Sequence, residues 1–186
     1  MKDTRKLFEE VTIKTDPIYE GRVISLQVDE VRLPNGETAV REIVKHPGAV
    51  ALIALYEGKM IVVEQYRKPL EKSQVEIPAG KLEPGEEPLE AAKRELVEET
   101  GFSCESLKHV CSFYTSPGFA NEQLHLYFAQ QLTPGKDNPD EDEFLDCFAI
   151  TLDEAKELIA EGRISDAKTI TAVYVWQTYL LTGKFI

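Results

Sequence analysis

Basic charge is scarce in this sequence. Lys and Arg together number 21 against 33 Asp and Glu, so the 186-residue chain carries a formal net charge of −12. A surface that binds nucleic acid needs clustered Lys and Arg to neutralise phosphates, so the balance argues against a nucleic-acid partner. It does not exclude a small phosphorylated substrate, provided that divalent metal ions mediate the contact.

Cysteines and long apolar runs are also scarce. The three cysteines, Cys104, Cys111 and Cys147, form an odd set without CxxC spacing. They predict neither a disulfide framework nor a zinc site, and idle thiols are typical of a reducing compartment. Residues 1–21 lack the apolar run of a signal peptide, and no stretch approaches the roughly 20 apolar residues of a membrane-spanning helix. We therefore expect a cytoplasmic protein without a membrane partner.

Residues 1–45 have the pattern of a small β segment. Apolar and polar residues alternate through residues 24–28, and the Asn35-Gly36 pair that follows is a strong hairpin signal. An antiparallel sheet of this size is marginally stable by itself. We therefore expect it to need another surface, either from its own chain or from a second copy.

Residues 46–186 form the second predicted region. It begins with two nearly continuous apolar runs around the Glu57-Gly58 turn, which predict strands covered on both faces. Further strand-like runs follow at 107–114, 122–132 and 144–150.

Three helices are predicted, two of them after the last strand-like run. Thr151 and Glu154 have the spacing of a capping box that opens the first of these two. Ser165 or Asp166 caps the second. Strands and helices together predict an α+β fold with helices packed over a mixed sheet.

The remaining helix lies in the acidic stretch GKLEPGEEPLEAAKRELVEETGF, residues 80–102. Pro88 fits its first turn and Gly101 its carboxy-terminal cap. The Pro84-Gly85 pair predicts a loop over residues 80–86.

Two adjoining faces of this helix differ in chemistry. The apolar face, predicted to bury against the sheet at about 100° per residue, consists of Leu89, Ala92 and Leu96. Glu95 and Glu99 lie one turn apart on the adjoining face, beside Glu98, which is spaced i,i+4 from Arg94. Such a group of acids is either a solvated face or a site for a hard cation such as Mg²⁺. Spacing alone leaves both interpretations open.

The whole stretch resembles the signature of the Nudix hydrolases, GX5EX7REUXEEXGU, in which U is an apolar residue. Every specified position matches, from Gly80 to Phe102. The resemblance implies an α/β/α sandwich around a mixed sheet, with the N-terminal antiparallel β segment as an appendage. It also implies that the glutamates hold divalent metal ions, Mg²⁺ or alternatively Mn²⁺, which neutralise a diphosphate.

The resemblance assigns a role to each residue of this metal site. The implied ligands are Glu95, Glu98, Glu99 and the backbone carbonyl of Ala79. Glu98 thereby counts as a catalytic residue, whereas Glu86 and Arg94 are expected to orient the ligands.

Motifs outside the signature look like those of the ADP-ribose pyrophosphatase subgroup. They are QYR at 65–67, EIPAG at 76–80 and SPG at 116–118. Pro117 stands 15 residues past Phe102, as a proline does in that subgroup. The strand-rich N-terminal segment is similar too, and the resemblance implies a homodimer with swapped N-terminal strands and a site that uses both chains.

Candidates for substrate contact each have a structural alternative. Arg67 and Arg41 offer planar forks of donors to a phosphate, or they are ordinary surface arginines. Gly118 provides turn geometry or allows close approach of the backbone. Phe8 and Tyr19 could stack on adenine, or they pack against a strand.

The acidic run at 140–143 precedes the last predicted strand. Such a run is ordinarily a solvated loop, but ADP-ribose pyrophosphatases carry a mobile loop with a catalytic carboxylate at this place. The pattern favours Glu143 over Glu141 as the general base. The three histidines show neither a nucleophile nor a ligand spacing and are expected to serve structure; they are His46, His109 and His125.

The resemblance predicts Mg²⁺-dependent hydrolysis of ADP-ribose to AMP and ribose 5-phosphate. A broader nucleoside-diphosphate-sugar pyrophosphatase is the alternative among enzymes. A Nudix module that binds ADP-ribose without cleaving it is the alternative of another class, although such modules typically lose a metal-binding glutamate and this chain has all of them.

Overall fold

The computed structural model describes residues 5–135 and 144–185, with side chains from Leu7 onward. The chain divides into two compact units, one formed by 1–48 with 114–122 and the other by 49–113 with 123–186. None of the described helices is both long and apolar enough to cross a membrane.

The first unit contains a three-stranded antiparallel sheet in the order β1-β2-β3. Its elements are a 3-10 helix (Arg5–Phe8), β1 (Val11–Glu20), β2 (Ser25–Arg32) and β3 (Thr38–Lys45). The predicted hairpin at Asn35-Gly36 is confirmed, because Gly36 has a φ of 91° and its amide donates to the Leu33 carbonyl at 2.9 Å. The 115–122 loop runs beside β3, where the Val44 amide donates to the Phe119 carbonyl at 2.8 Å.

The second unit is built on a seven-stranded mixed sheet. Its main order is β10-β5-β4-β9-β8, with β6 beside β5 and β7 beside β4. The strands are β4 (Ala49–Tyr56), β5 (Lys59–Arg67), β6 (Lys72–Glu76), β7 (Ala79–Lys81), β8 (Phe102–Tyr114), β9 (Gln123–Pro134) and β10 (Leu145–Ile150). A 3-10 helix (Lys68–Leu70) connects β5 and β6. The pairing of β4 with β9 is parallel, and this makes the sheet mixed.

The described residues of the second unit also form the α-helices α1 (Pro88–Thr100), α2 (Leu152–Ala160) and α3 (Ala167–Thr182). The predicted capping box of Thr151 and Glu154 opens α2. Asp166 rather than Ser165 caps α3, because its carboxylate accepts from the Thr169 amide at 2.9 Å. Gly101 ends α1 with a φ of 71°, as predicted.

Alternate residues of β4 belong to two apolar clusters on opposite faces of the sheet. One cluster joins Ala51 and Ile53 to residues of α2 and α3, including the buried Trp176. The other joins Val50 and Leu52 to the buried residues of α1. The sheet therefore lies between α1 and the α2–α3 pair, which confirms the predicted α/β/α sandwich.

Two local predictions are wrong. The loop predicted over residues 80–86 begins later, because Gly80 pairs with Val50 in the short strand β7. Leu89 is 39% exposed instead of buried. The buried positions of α1 repeat at i and i+4 from Ala91 and Ala92, so Leu89 lies in the first turn at the edge of the buried stripe.

Candidate active site

Glu95 and Glu99 lie on the buried face of α1 rather than on an adjoining one. Glu95 and Glu99 are 7% and 3% exposed. A Cβ atom added to Gly80 would stand 1.7 Å from Oε1 of Glu95, and the amide of Ala79 donates to Oε2 of Glu99 at 2.9 Å. Both carboxylates therefore contact strand β7. That of Glu95 lies where Gly80 has no side chain, and that of Glu99 accepts a hydrogen bond from the Ala79 amide.

Arg94 joins the remaining acids of this region. Its Nη1 donates to Glu95 Oε1 at 2.7 Å and to Glu98 Oε2 at 2.8 Å. Its Nε and Nη2 each donate to Glu86 at 3.0 Å. The hydrogen bonds from Arg94 lower the pKa of the Glu86 carboxyl, and those to Glu86, Glu98 and Glu95 raise the pKa of Arg94. The predicted i,i+4 contact between Arg94 and Glu98 is confirmed.

The chemistry of this donor set fits a hard divalent cation. Every candidate ligand is an oxygen atom, and carboxylate oxygens with substrate phosphates are what Mg²⁺ prefers. In residues 5–135 and 144–185, no three His, Cys, Asp or Glu side chains already converge as a metal site. The Arg94 guanidinium instead lies among three carboxylates and offsets part of their charge.

Arg67 lies at the end of β5 in a partly buried charge cluster. Its Nε and Nη2 donate to the two oxygens of Glu76, both at 2.7 Å. Lys168 on α3 donates to the same carboxylate and, at 3.1 Å, to Asp166. The pKa of Arg67 is raised, first by its hydrogen bond to Glu76 and in smaller part by the nearby charges of Glu76, Glu99 and Asp166.

The sequence analysis did not assign roles to Glu76 or Lys168, and it assigned Asp166 only the role of a helix cap. Glu76 sits within the otherwise apolar run VEIPA, where an acid needs a cationic partner to be buried. Burial raises the pKa of the Glu76 carboxyl. The hydrogen bonds and charges of Arg67 and Lys168 together lower this pKa by more than burial raises it, so the pKa falls below its ordinary value.

The first unit has a pocket of its own, of about 360 Å³, lined by Arg41 and Gly118 among others. Arg41 donates to Glu10 at 2.8 Å and 2.5 Å, and this hydrogen-bonded pairing lowers the pKa of the Glu10 carboxyl. Glu10 was not predicted. Among the described lining residues, neither Phe8 nor Tyr19 appears, although both aromatic side chains are exposed.

Gly118 does not need glycine for its backbone conformation. A Cβ atom there would meet nothing within 4 Å, and its φ lies outside the left-handed region. Gly118 lies in the turn at 117–119, although the turn does not require glycine there, and both predicted roles stay predictions. The predicted bases Glu141 and Glu143 lie outside the described residues.

Two family models match the chain. One, described as the NUDIX domain, matches residues 45–173, and the other, described as the nucleoside diphosphate sugar hydrolase N-terminal domain, matches residues 10–44. The first includes the signature found at 80–102.

Curated relatives match nearly the whole chain. A methanol dehydrogenase activator of Bacillus methanolicus is 61% identical over 176 residues, which cover 92% of this chain and 95% of that protein. An ADP-ribose pyrophosphatase of Bacillus subtilis (strain 168) is 51% identical over 175 residues, with the same shares of the two chains.

A solved structure, described as the crystal structure of ADP compounds hydrolase, shares the fold. It superimposes with a TM-score of 0.84 over 97% of this chain and 98% of that chain. The sequence identity is 22%, so this likeness shows the fold alone. Together the matches confirm the resemblance that the signature and the flanking motifs indicate.

Proposed function

Because the chain belongs to the Nudix family, we propose that it hydrolyses ADP-ribose to AMP and ribose 5-phosphate with the help of Mg²⁺. The observation that carries this proposal is the intact set of signature acids, with Glu95 and Glu99 against β7 and Glu98 beside them on Arg94. The choice of ADP-ribose is supported by the relative of that name with 51% identity.

The α1 carboxylates and one carbonyl would hold the metal. The proposed ligands are Glu95, Glu98, Glu99 and the carbonyl of Ala79, and Mn²⁺ is an alternative to Mg²⁺. A bound divalent ion neutralises diphosphate charge and makes a water molecule more acidic. We propose Glu98 as a catalytic residue because it would hold the metal ion that acts on the diphosphate and the water.

Arg94 is a positioning residue in this scheme. Its guanidinium donates four hydrogen bonds to the carboxylates of Glu86, Glu95 and Glu98. A fifth runs from Nη2 to the Lys81 carbonyl of β7 at 3.2 Å. Glu86 acts with it by accepting hydrogen bonds from Nε and Nη2 of the guanidinium. Ligands held in this way bind a cation with less loss of side-chain entropy.

Arg67 is proposed to bind a substrate phosphate. Two of its nitrogens donate to Glu76, and a guanidinium has five N–H donors, so donors remain for a phosphate oxygen. Lys168 keeps the Glu76 carboxylate neutralised while Arg67 is shared with substrate.

Further substrate contacts are proposed for the first unit. The pocket lined by Arg41 and Gly118 offers a cation and an open backbone to a substrate. The exposed rings of Phe8 and Tyr19 are proposed to stack on adenine.

The water that attacks phosphorus needs a base, and we propose Glu143 or, alternatively, Glu141. The double variant E141Q/E143Q should lower turnover by about 10²- to 10⁴-fold, the range for losing a general base. Near-normal turnover in this variant would remove the loop from the mechanism.

We also propose a cytoplasmic homodimer in which the segment 1–45 is exchanged and 46–186 forms the hydrolase domain. All ten residues of β1 are exposed in the single chain, including the apolar Val11, Ile13 and Ile18. Exposed apolar strand residues of this kind are typical of a surface that another chain covers. Sedimentation equilibrium tests the proposal, and a monomeric mass at micromolar concentration would contradict it.

Two alternatives concern the same site. A broader nucleoside-diphosphate-sugar pyrophosphatase would have the same acids, and a binding-only module would retain the ligand without turnover. Hydrolysis of ADP-ribose, ADP-glucose, NADH and diadenosine polyphosphates, with products separated by chromatography, distinguishes them. Fastest AMP release from ADP-ribose supports the proposal, whereas a faster second substrate or binding without turnover supports one of the alternatives.

A second candidate function is activation of a methanol dehydrogenase, and it rests on the relative of that name with 61% identity. The test is to assay methanol dehydrogenase with and without the chain. A rate that does not change on addition of the chain would exclude this function.

A further inference from the structure

Two histidines of the second unit meet at one hydroxyl group. Nε2 of His109 on β8 lies 2.8 Å from Oγ of Ser112, and Nδ1 of His125 on β9 lies 2.8 Å from the same oxygen. The two ring centres are 6.5 Å apart with their planes at 52°. Neither histidine has a part in the proposed hydrolysis, and their positions in the sequence gave no ligand spacing.

The pair is open to solvent on one side and supported on the other. His109 and Ser112 are exposed and His125 is half-buried. The ring of Tyr127, itself buried, packs edge-on against His109 with centres 5.5 Å apart. An ion can therefore reach the ring nitrogens from water, while Tyr127 limits how His109 turns.

The hydroxyl group shared by the two histidines requires one of the facing ring nitrogens to carry a free lone pair. A serine hydroxyl has one proton, so it donates to one imidazole and accepts from the N–H of the other. At least one nitrogen that faces the hydroxyl is therefore unprotonated when both rings are neutral. Burial, and then the charge of His109, lower the pKa of His125, which favours the neutral ring that metals need.

We propose that His109 and His125 bind a divalent transition-metal ion, Cu²⁺, Zn²⁺ or Ni²⁺, with both imidazoles as ligands. Imidazole nitrogen suits these ions, and bonds of about 2.0–2.1 Å are typical of Zn²⁺. Both nitrogens already lie 2.8 Å from a common point. Small rotations of the side chains, with Ser112 turning aside, bring them onto one ion.

The site is an open one with exchangeable metal. No third His, Cys, Asp or Glu in the described part of the chain completes a metal-binding group with the pair. Water molecules then fill the remaining coordination positions, as they do in sites with few protein ligands. Cu²⁺ should bind most tightly of the three, following the general order of divalent ions.

This site is separate in chemistry from the glutamates of α1. Mg²⁺ selects oxygen ligands and leaves an imidazole pair free. Excess Mg²⁺ therefore occupies oxygen sites during a Cu²⁺ titration without competing for the histidines.

The test is a Cu²⁺ titration of the full chain in excess Mg²⁺, followed by calorimetry and by electron paramagnetic resonance. The chain has three histidines, so H46Q is the matched control for the double variant H109Q/H125Q. We expect wild type and H46Q to bind one equivalent of Cu²⁺ with nitrogen splitting from two imidazoles. The single variants H109Q and H125Q should bind at least about 10-fold more weakly, because even losing a partner that orients a ligand costs about 10- to 100-fold in metal affinity. The double variant should lose the site.

Equal Cu²⁺ affinity in wild type and in H109Q/H125Q would overturn the proposal, as would loss of binding in H46Q. Circular dichroism checks the fold of each variant. Should the double variant not fold, the two single variants decide, because each must lose one imidazole from the nitrogen splitting pattern. An unchanged pattern in both overturns the proposal. The readout is independent of whether the chain hydrolyses ADP-ribose.

Discussion

Arg67 and Glu76 form a two-pronged ion pair between β5 and β6, with both nitrogen–oxygen distances at 2.7 Å. The Glu76 side chain is 3% exposed, whereas that of Arg67 is 38% exposed. Lys168 reaches the same carboxylate from α3. Glu76 is therefore the buried anion on which two cations of different elements depend.

Replacing Glu76 by Gln should destabilise the fold by about 3 kcal/mol. The variant leaves Arg67 and Lys168 without their anion, and removing one partner of a buried pair costs about 3–5 kcal/mol. We expect a loss at the lower end of this range, because the Arg67 side chain is partly exposed to water. Urea denaturation measures the change. The control is E71Q, which breaks the exposed Lys68–Glu71 pair and should cost well under 1 kcal/mol. Equal losses in the two variants would contradict the argument.

The same carboxylate predicts a pH dependence of stability. Its pKa in the folded protein lies below the ordinary 4.5, so the unfolded chain binds the proton more tightly. The contribution of Glu76 to the free energy of unfolding is then present above about pH 4.5 and lost as pH falls through the folded pKa. E76Q has no such proton, so its urea midpoint should fall less than that of wild type between about pH 5 and pH 3. If the urea midpoints of wild type and E76Q fall in parallel over this pH range, Glu76 does not contribute to the pH dependence of stability.

Replacing Gly80 by Ala should impair hydrolysis more than folding. The new Cβ would stand 1.7 Å from Oε1 of Glu95, the flexible end of a side chain that can move away. A ligand displaced by about 1 Å can lower turnover by about 10²-fold. Steady-state kinetics and urea denaturation of the same preparation measure both effects.

A double-mutant comparison shows whether Gly80→Ala acts through Glu95. On an E95Q background, G80A should add little further loss, because the group that it displaces is already altered. If the losses of turnover from G80A and E95Q simply add in the double variant, Gly80 does not act through Glu95.

Replacing Gly118 by Ala should leave stability within about 0.5 kcal/mol of wild type, since the new methyl group meets no protein atom within 4 Å. If the proposed substrate lies against this backbone, KM should rise while kcat is unchanged, the pattern for loss of uniform binding. Kinetics with ADP-ribose measure both constants. An unaltered KM would remove Gly118 from the substrate contacts.

Local patterns predicted much of this fold. The Asn35-Gly36 turn, the Thr151–Glu154 capping box and the Gly101 cap are decided by a few neighbouring residues. Short strands such as β7 depend instead on backbone pairing with a distant partner, which side-chain periodicity does not contain.

The contacts of the candidate site residues also fall into local ones, which the sequence predicts, and long-range ones, which it does not. The spacing of Arg94 and Glu98 on one helix predicted their contact. The contacts of Glu76 with Lys168, of Arg41 with Glu10, and of His125 with Ser112 join residues remote in sequence. Such pairs follow from the topology of the sheets, so no local spacing could predict them.

AMP release from ADP-ribose can be compared directly for wild type, E98Q and E90Q, each with Mg²⁺ and with EDTA. Glu90 is the matched control because it lies on α1 and pairs with Lys93 at the exposed surface. We expect Mg²⁺-dependent release by wild type and E90Q. The E98Q rate should be lower by at least about 10²-fold, since metal-assisted charge stabilisation supplies several kcal/mol. AMP release in EDTA, or an E98Q rate equal to that of E90Q, would contradict it.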